Sequence, residues 1–273
     1  MRAARRPRDW RVPGPPPAAR HEIVPGPNED LCYLSGDWRI LQRLDGHRWS
    51  LDDLVTAWFA TEQMATPPHR IFDLGTGIGS VLLMLAWRYQ EALVSGIEAQ
   101  PLSADLARRS IAWNGADDRC RVHVGDLRDP ELLDAVGPAD LVTGTPPYLP
   151  VGTARESRRV QKGPCNFEHR GGIEAYCEAA ARTLSPGGPF VVCEQAAQDE
   201  RVHAAARAAG LAVTRTIPVV PRAGKPPLFA VHAIRHAGID VDAVTLPALV
   251  VRDERGARTI AFRRVREAMG MPP

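Results

Sequence analysis

The sequence predicts an α/β fold, a mostly parallel sheet with helices on both faces. Three observations carry that prediction. From Arg70 onward, short apolar runs alternate with longer amphipathic segments, the order expected of repeated strand and helix units. A glycine-rich turn, Asp73-Leu74-Gly75-Thr76-Gly77-Ile78-Gly79, joins the first of those runs to a helical segment. A rigid aromatic-tipped turn, Gly144-Thr145-Pro146-Pro147-Tyr148, closes a later strand. Ligands of such sheets collect outside the carboxyl ends of the strands, so both turns belong to the end where a ligand binds.

The elements follow in order. Residues 1–30 read as a disordered or extended arm, because Pro13-Gly14-Pro15-Pro16-Pro17 blocks any helix. The arm has no apolar stretch of the secretory kind, and its prolines forbid the amphipathic helix of an organellar transit peptide. Its Arg2, Arg5, Arg6, Arg8 and Arg11 either meet nucleic-acid phosphate or stand in solvent. Residues 31–66 form a cap. Trp38 to Trp49 suggests a short hairpin, and Ser50 an N-cap for a helix over Leu51 to Ala60. Asp52 and Asp53 fall in its first turn, where the helix dipole favours acids.

The core covers residues 67–236, after Pro67-Pro68 ends the cap. Its seven expected strands are Arg70 to Leu74, Ala92 to Ile97, Arg121 to Val124, Ala139 to Thr143, Phe190 to Cys193, Leu211 to Pro218 and Leu228 to Ile234. The last two should pair with each other. Helices are expected over Ser80 to Tyr89, Pro101 to Trp113, Ile173 to Leu184 and Asp199 to Ala209, with Gly210 as a stop. The segment from Leu149 to Gly172 has no periodicity, and a loop that long is usually functional or mobile. Residues 237–273 read as a C-terminal extension of the same domain.

Composition narrows the function classes. The chain has 273 residues, 44% of them hydrophobic, enough for one large domain with its own core. No apolar run approaches the roughly 18–20 residues of a membrane span, so no membrane partner is expected. A net charge of +2 says little about partners, but only Lys162 and Lys225 are lysines among 34 basic residues. Arginine's fork suits phosphates and base edges, although a GC-rich genome also favours it. The five cysteines, Cys32, Cys120, Cys165, Cys177 and Cys193, include no CxxC pair. That argues against a metal site or disulfide framework and for reduced thiols in a cytoplasm.

The glycine turn fits a nucleoside. Gly75 and Gly77 let the backbone turn tightly and approach a ligand, and Gly79 lets the next helix pack closely. The compact GxGxG spacing argues against a pyrophosphate cradle and for a nucleoside bearing an amino acid, with Asp73 near the ammonium. Glu98, ending the second strand, is placed to accept from both ribose hydroxyls. Asp126, after the third, is placed to accept from an adenine amino group. Three acids in this order favour S-adenosyl-L-methionine over NAD. With Thr76, Ala99, Leu127 and Thr145 beside them, they complete the expected cofactor set.

At these residues the chain resembles the class I S-adenosylmethionine-dependent methyltransferases, and more narrowly the tRNA (valine) adenine-N6 methyltransferases. The likeness runs from about Leu31 to the C-terminus. It includes His47-Arg48-Trp49-Ser50-Leu51-Asp52-Asp53-Leu54 before the glycine turn, the core motifs, Phe167-Glu168, Gly224-Lys225-Pro226-Pro227 and Leu246 to Glu254. The resemblance implies a Rossmann-like seven-stranded fold, S-adenosyl-L-methionine as cofactor and tRNA as partner, with methyl transfer to an adenine N6. It implies Thr145, Pro146, Pro147 and Tyr148 as the catalytic loop, and Trp49, Tyr148, Glu168 and Lys225 on the substrate side. In the family loop, Asn-Pro-Pro-Tyr, the asparagine side chain and a proline carbonyl accept from the amine while the tyrosine stacks on the base.

Here Thr145 stands in place of that asparagine, and its hydroxyl sits nearer the backbone and is a weaker acceptor. Three readings stay open: the hydroxyl suffices with a water between, the acceptor is different, or the protein binds without efficient turnover. The rivals are therefore a methyltransferase acting on a protein amide or a small-molecule amine, and a cofactor-binding scaffold. An RNA substrate calls for a basic face, expected from Arg155, Arg158, Arg159, Lys162, Arg170, Arg222 and Lys225. No residue stands out as a general base. Glu168 and His169 either take up a proton or face solvent.

Overall fold

The computed structural model describes residues 6–7, 9–148, 167–238 and 243–273. The expected Arg2, Arg5, Arg8, Arg155, Arg158, Arg159, Lys162 and Cys165, and most of the Leu149 to Gly172 segment, lie outside the described residues.

Two strands, β1 (Glu29–Tyr33) and β2 (Arg39–Arg43), pair as an antiparallel hairpin apart from the main sheet. The hairpin lies earlier than expected. Its turn is Ser35-Gly36, with Gly36 at φ +52°, and Trp38 is buried behind it rather than starting a strand. Next comes α1 (Leu51–Glu62), closed at its start by reciprocal hydrogen bonds between Ser50 and Asp53.

The main sheet contains β3 (Arg70–Leu74), β4 (Leu93–Glu98), β5 (Cys120–Val124), β6 (Leu141–Gly144) and β7 (Phe190–Gln195), all parallel. The expected pair, β8 (Leu211–Val220) and β9 (Phe229–His236), is antiparallel, and β9 runs antiparallel to β7. Two short strands missed from sequence, β10 (Val244–Thr245) and β11 (Leu249–Val250), add to β8. Among the described residues the sheet therefore has nine strands rather than seven, in the order β10-β8-β9-β7-β6-β3-β4-β5 with β11 beside β8. The order reverses between β3 and β6, which is the switch point where a crevice opens.

Side-chain alternation along the strands builds two cores. Val191 and Cys193 pack with α1, α2 (Ser80–Arg88) and α3 (Pro101–Asn114) on one face. Phe190 and Val192 pack with α4 (Pro130–Val136), α5 (Ile173–Thr183) and α6 (Asp199–Ala208) on the other. Burial on both faces is why these strands read as continuous apolar runs. Helix α4 was not expected, although Asp129, accepting from the Glu131 N–H at 3.0 Å, and Pro130 are cap signals. Neither was α7 (Ile260–Ala268), whose Thr259 caps the Phe262 N–H.

Over the described residues from Arg6 to Asn28 the arm holds turns but no helix or strand, and it lies against the end of α3. The Ala18 N–H donates to the Asn114 carbonyl at 3.1 Å and the Arg20 N–H to the Trp113 carbonyl at 3.3 Å, at the end of α3. The Arg6 guanidinium lies 3.6 Å from the centre of the Tyr33 ring and bonds Asp37, so it is not available to phosphate. Among the described residues, Cys32, Cys120, Cys177 and Cys193 are free thiols. No helix there is long and apolar enough to cross a membrane.

Candidate active site

The turn after β3 depends on backbone that only glycine adopts easily. Gly75, Gly77 and Gly79 have φ of +60°, +57° and +85°. The Thr76 N–H donates to the Ile97 carbonyl at 2.9 Å, which pins the turn to the end of β4. At Gly79 a Cβ would come within 3.1 Å of the Ala107 Cβ, so its role is close packing of α2 on α3. At Gly75 a Cβ would overlap the Tyr176 hydroxyl and approach Tyr176 Cζ at 3.0 Å. A Cβ on Gly144 would stand 2.7 Å from Tyr176 Cδ1. Tyr176, on α5, is thus wedged between the glycine turn and the start of the Thr145 loop. Sequence reading missed it, and its only trace is a pair of glycines 69 residues apart that make room for it.

Both turns open on one cavity of about 620 Å³. The cofactor-side residues Gly75, Thr76, Gly77, Glu98, Ala99, Asp126 and Leu127 line it. Thr145, Pro146, Pro147 and Tyr148 line it too, so the residues expected to form one site are brought together. Sequence reading missed Ser50, Asp52, Asp53, Ser80, Phe167 and Tyr176 on its wall. Arg170, expected on a basic face, is also there.

Other expected residues lie elsewhere. Asp73 is only 2% exposed, and its two oxygens accept from Thr76 Oγ1 at 2.6 Å and Thr143 Oγ1 at 2.7 Å. It braces the turn from beneath instead of facing an ammonium, and burial pushes it up to about 6. Trp49 is half-buried against the core beside α1. Glu168 is clamped by Arg201, whose Nη1 and Nη2 donate to its oxygens at 2.7 and 2.9 Å. That pairing removes it from the substrate side and anchors the segment bearing Phe167 and Arg170. Lys225 is exposed on the turn between β8 and β9, away from the cavity wall.

The two remaining acids are held in fixed orientations. Glu98 is 6% exposed and accepts from the Gly77 N–H at 2.9 Å and the Gln100 N–H at 2.7 Å. Burial raises its pKa against those bonds. Asp126 accepts from the Arg128 Nε and main-chain N–H at 2.9 Å and from Nη2 at 2.7 Å. The Arg128 guanidinium holds its carboxyl below the usual range. Each carboxylate keeps lone pairs for a ligand, since a carboxylate accepts about four bonds. The glycine turn open on the cavity at Gly75 and Gly77, the buried Glu98 and the ionised Asp126 fit an adenosyl group carrying an amino acid.

On the opposite wall, the Tyr148 hydroxyl donates to Asp52 Oδ2 at 3.1 Å and lies 3.0 Å from Cys193 Sγ. Its ring is therefore tethered at the far end, which fixes the wall it presents. Asp53 is 4% exposed, accepts from the Ser50 N–H at 2.8 Å, and is pushed up to about 8 by burial and then by Asp52. An unfolded aspartate titrates near 3.8. Between these values the folded chain holds a proton that the unfolded chain has released, so stability falls as pH rises through that window. Asp73 at about 6 and Glu194 at about 7 act in the same sense. Asp53→Asn is expected to make the decline in Tm from pH 5 to 8 shallower than in the wild type. Parallel Tm profiles would show that Asp53 is not the buried acid responsible.

No family model matches the chain. It is 31% identical over 156 residues to a tRNA1(Val) (adenine(37)-N6)-methyltransferase of Porphyromonas gingivalis, a match covering 56% of this chain and 60% of that relative. The chain thus spans less than two thirds of that relative's length. It is 32% identical over 207 residues to a release factor glutamine methyltransferase of Caulobacter vibrioides, covering 70% of this chain and 68% of that one. Among solved structures it is similar to a predicted O-methyltransferase from Agrobacterium tumefaciens, with a TM-score of 0.61 and 19% identity over 81% of this chain and 98% of that one. That last likeness is one of fold.

Proposed function

Because the chain belongs to the class I S-adenosylmethionine-dependent methyltransferases, we propose that it methylates an exocyclic amine, the N6 of an adenine in tRNA, in the cytoplasm. The observation that carries this reading is the meeting of Gly75 to Gly77 and Thr145 to Tyr148 on one cavity. S-adenosyl-L-methionine bound there supplies an electrophilic methyl group. Gly75 and Gly77 receive its amino-acid end, Glu98 its ribose and Asp126 its adenine edge.

The chain's own residues then prepare the acceptor. An exocyclic aromatic amine is a poor nucleophile, because its lone pair is delocalised into the ring. The Pro146 carbonyl and the Thr145 hydroxyl accept its two N–H groups, which aims the lone pair and stabilises charge developing on nitrogen. The tethered Tyr148 ring supplies the flat wall for the base. Once methylated, the nitrogen sheds one proton, which this reading assigns to Asp52 on the same wall. An adenine in an RNA loop reaches the cavity at small unstacking cost.

A protein amide is the second reading. It is favoured by the longer match to a glutamine methyltransferase. Incubation with methyl-labelled cofactor, total RNA and total protein separates the two. The expected result is label in N6-methyladenosine of the tRNA fraction. Label in protein glutamine would establish the second reading, and cofactor binding with no label anywhere would make the protein a scaffold.

A further inference from the structure

The C-terminal extension and the turn beside it carry cations that the cavity does not use. Arg222, Lys225, Arg252, Arg255, Arg263 and Arg264 are all exposed. None of them forms an ion pair among the described residues, whereas Arg20, Arg43, Arg109, Arg128, Arg182 and Arg201 each close on a carboxylate. The bonds they do make go to main-chain oxygens. Arg222 Nη2 donates to the Glu254 carbonyl at 2.6 Å, Arg252 Nη1 to the Gly256 carbonyl at 2.6 Å, and Arg263 Nε to the Arg258 carbonyl at 3.2 Å. Such bonds fix the guanidiniums without neutralising them. Asp253 closes an ion pair with none of them among the described residues; its Oδ1 accepts from the Arg255 and Ala257 N–H groups and shapes the turn. Arg252 and Arg258 even stand opposite each other in an isolated antiparallel bridge, an arrangement of like charges that costs stability.

The topology puts this cluster at the end of the sheet where the cavity opens. Strands β7 and β8 are each antiparallel to β9, and β11 is parallel to β8, so Val220 and Val250 end on the same side as β6. The Thr259 hydroxyl donates to the Val250 carbonyl at 2.5 Å, which brings the start of α7 and its Arg263 and Arg264 to that end. From β6 the path to β8 crosses β7 and β9. At ~4.8 Å per strand that is about 14 Å. A nucleic-acid strand of a few nucleotides, at roughly 3.4 Å each, covers it.

We propose that Arg252, Arg255, Arg263 and Arg264, with Arg222 and Lys225 beside them, form a docking surface for the phosphate backbone of the RNA whose adenine enters the cavity. The proposal rests on the reading of the site as an RNA methyltransferase. Arginine's planar fork matches phosphate oxygens two at a time, and a self-repelling cluster gains most from a polyanion. A protein partner fits less well. Protein interfaces are built around buried aromatic and apolar anchors, and the exposed large apolar residues here, among the described residues, are the scattered Leu228, Val244 and Ile260.

The test compares the full wild-type chain with the quadruple variant Arg252→Gln, Arg255→Gln, Arg263→Gln and Arg264→Gln, using an adenine-bearing RNA stem-loop across a salt series. Calorimetry with S-adenosylhomocysteine reports the fold and the cofactor site. Expected are an RNA Kd raised tenfold or more, a log K against log salt slope shallower by about 3, and unchanged cofactor affinity. If the quadruple variant loses cofactor binding, the pairs Arg252→Gln with Arg255→Gln and Arg263→Gln with Arg264→Gln are measured instead, each expected to lose about half the slope. RNA affinity and slope equal to wild type would overturn the docking surface while leaving the RNA reading intact. A wild-type chain that retains no RNA and labels protein would remove that reading and the surface with it.

Discussion

Gly75→Ala is expected to weaken cofactor binding about a hundredfold. Two costs add at this position. An alanine at φ +60° carries a left-handed penalty of roughly 1–2 kcal/mol, and its methyl overlaps the Tyr176 hydroxyl, an overpacking cost of about 1–3 kcal/mol. A total near 3 kcal/mol corresponds to roughly two decades in Kd. The turn has to move to relieve the strain, and moving it displaces the Gly77 N–H from Glu98. The double variant Gly75→Ala, Tyr176→Phe removes the hydroxyl but not the strained φ, so it should recover about half of the loss. Calorimetry with S-adenosylhomocysteine, alongside Tm, checks both. An affinity within threefold of wild type for the single variant would mean that the cofactor does not sit on this turn.

Thr145→Asn is expected to raise the rate of adenine methylation by about 10², with KM little changed. An amide oxygen reaches further into the cavity than a hydroxyl and is a stronger acceptor for a developing cationic nitrogen. Donor or acceptor groups in such preorganised positions are worth about 10²–10³ in rate. Their effect appears in kcat when the interaction tightens only in the transition state. Single-turnover kinetics on an RNA stem-loop separates that effect from binding. A fall in rate would mean that Thr145 is matched to an acceptor other than an aromatic amine.

Much of this fold was legible because its signals are local. Strand β3 begins and ends where the apolar run and the glycines place it, and Gly210, at φ +73°, stops α6. The positions of Glu98, Asp126 and Thr145 on the cavity followed from the same logic, since residues at the carboxyl ends of parallel strands share one rim. What was not legible depends on contacts between residues distant in sequence. Asp73 and Glu98 look alike as strand-end acids, but only packing shows that Thr143 and Thr76 turn Asp73 inward. Glu168 read as a substrate residue until Arg201, 33 positions later, claimed it. Asp52 and Asp53 read as first-turn acids serving a helix dipole, and nothing local showed that α1 starts at the cavity. The C-terminal strands β10 and β11 are two residues each, too short for any period to register.

The proposed chemistry requires the two strand-end turns to share one ligand. A crystal structure with S-adenosylhomocysteine tests it most directly. Expected are the ribose hydroxyls on Glu98, the amino-acid end over Gly75 to Gly77, and the sulfur facing Pro146 and Tyr148 across a gap that seats an amine about 3–3.5 Å from the departing methyl. A ligand bound away from the glycine turn, or with its sulfur turned from Thr145 to Tyr148, would contradict it.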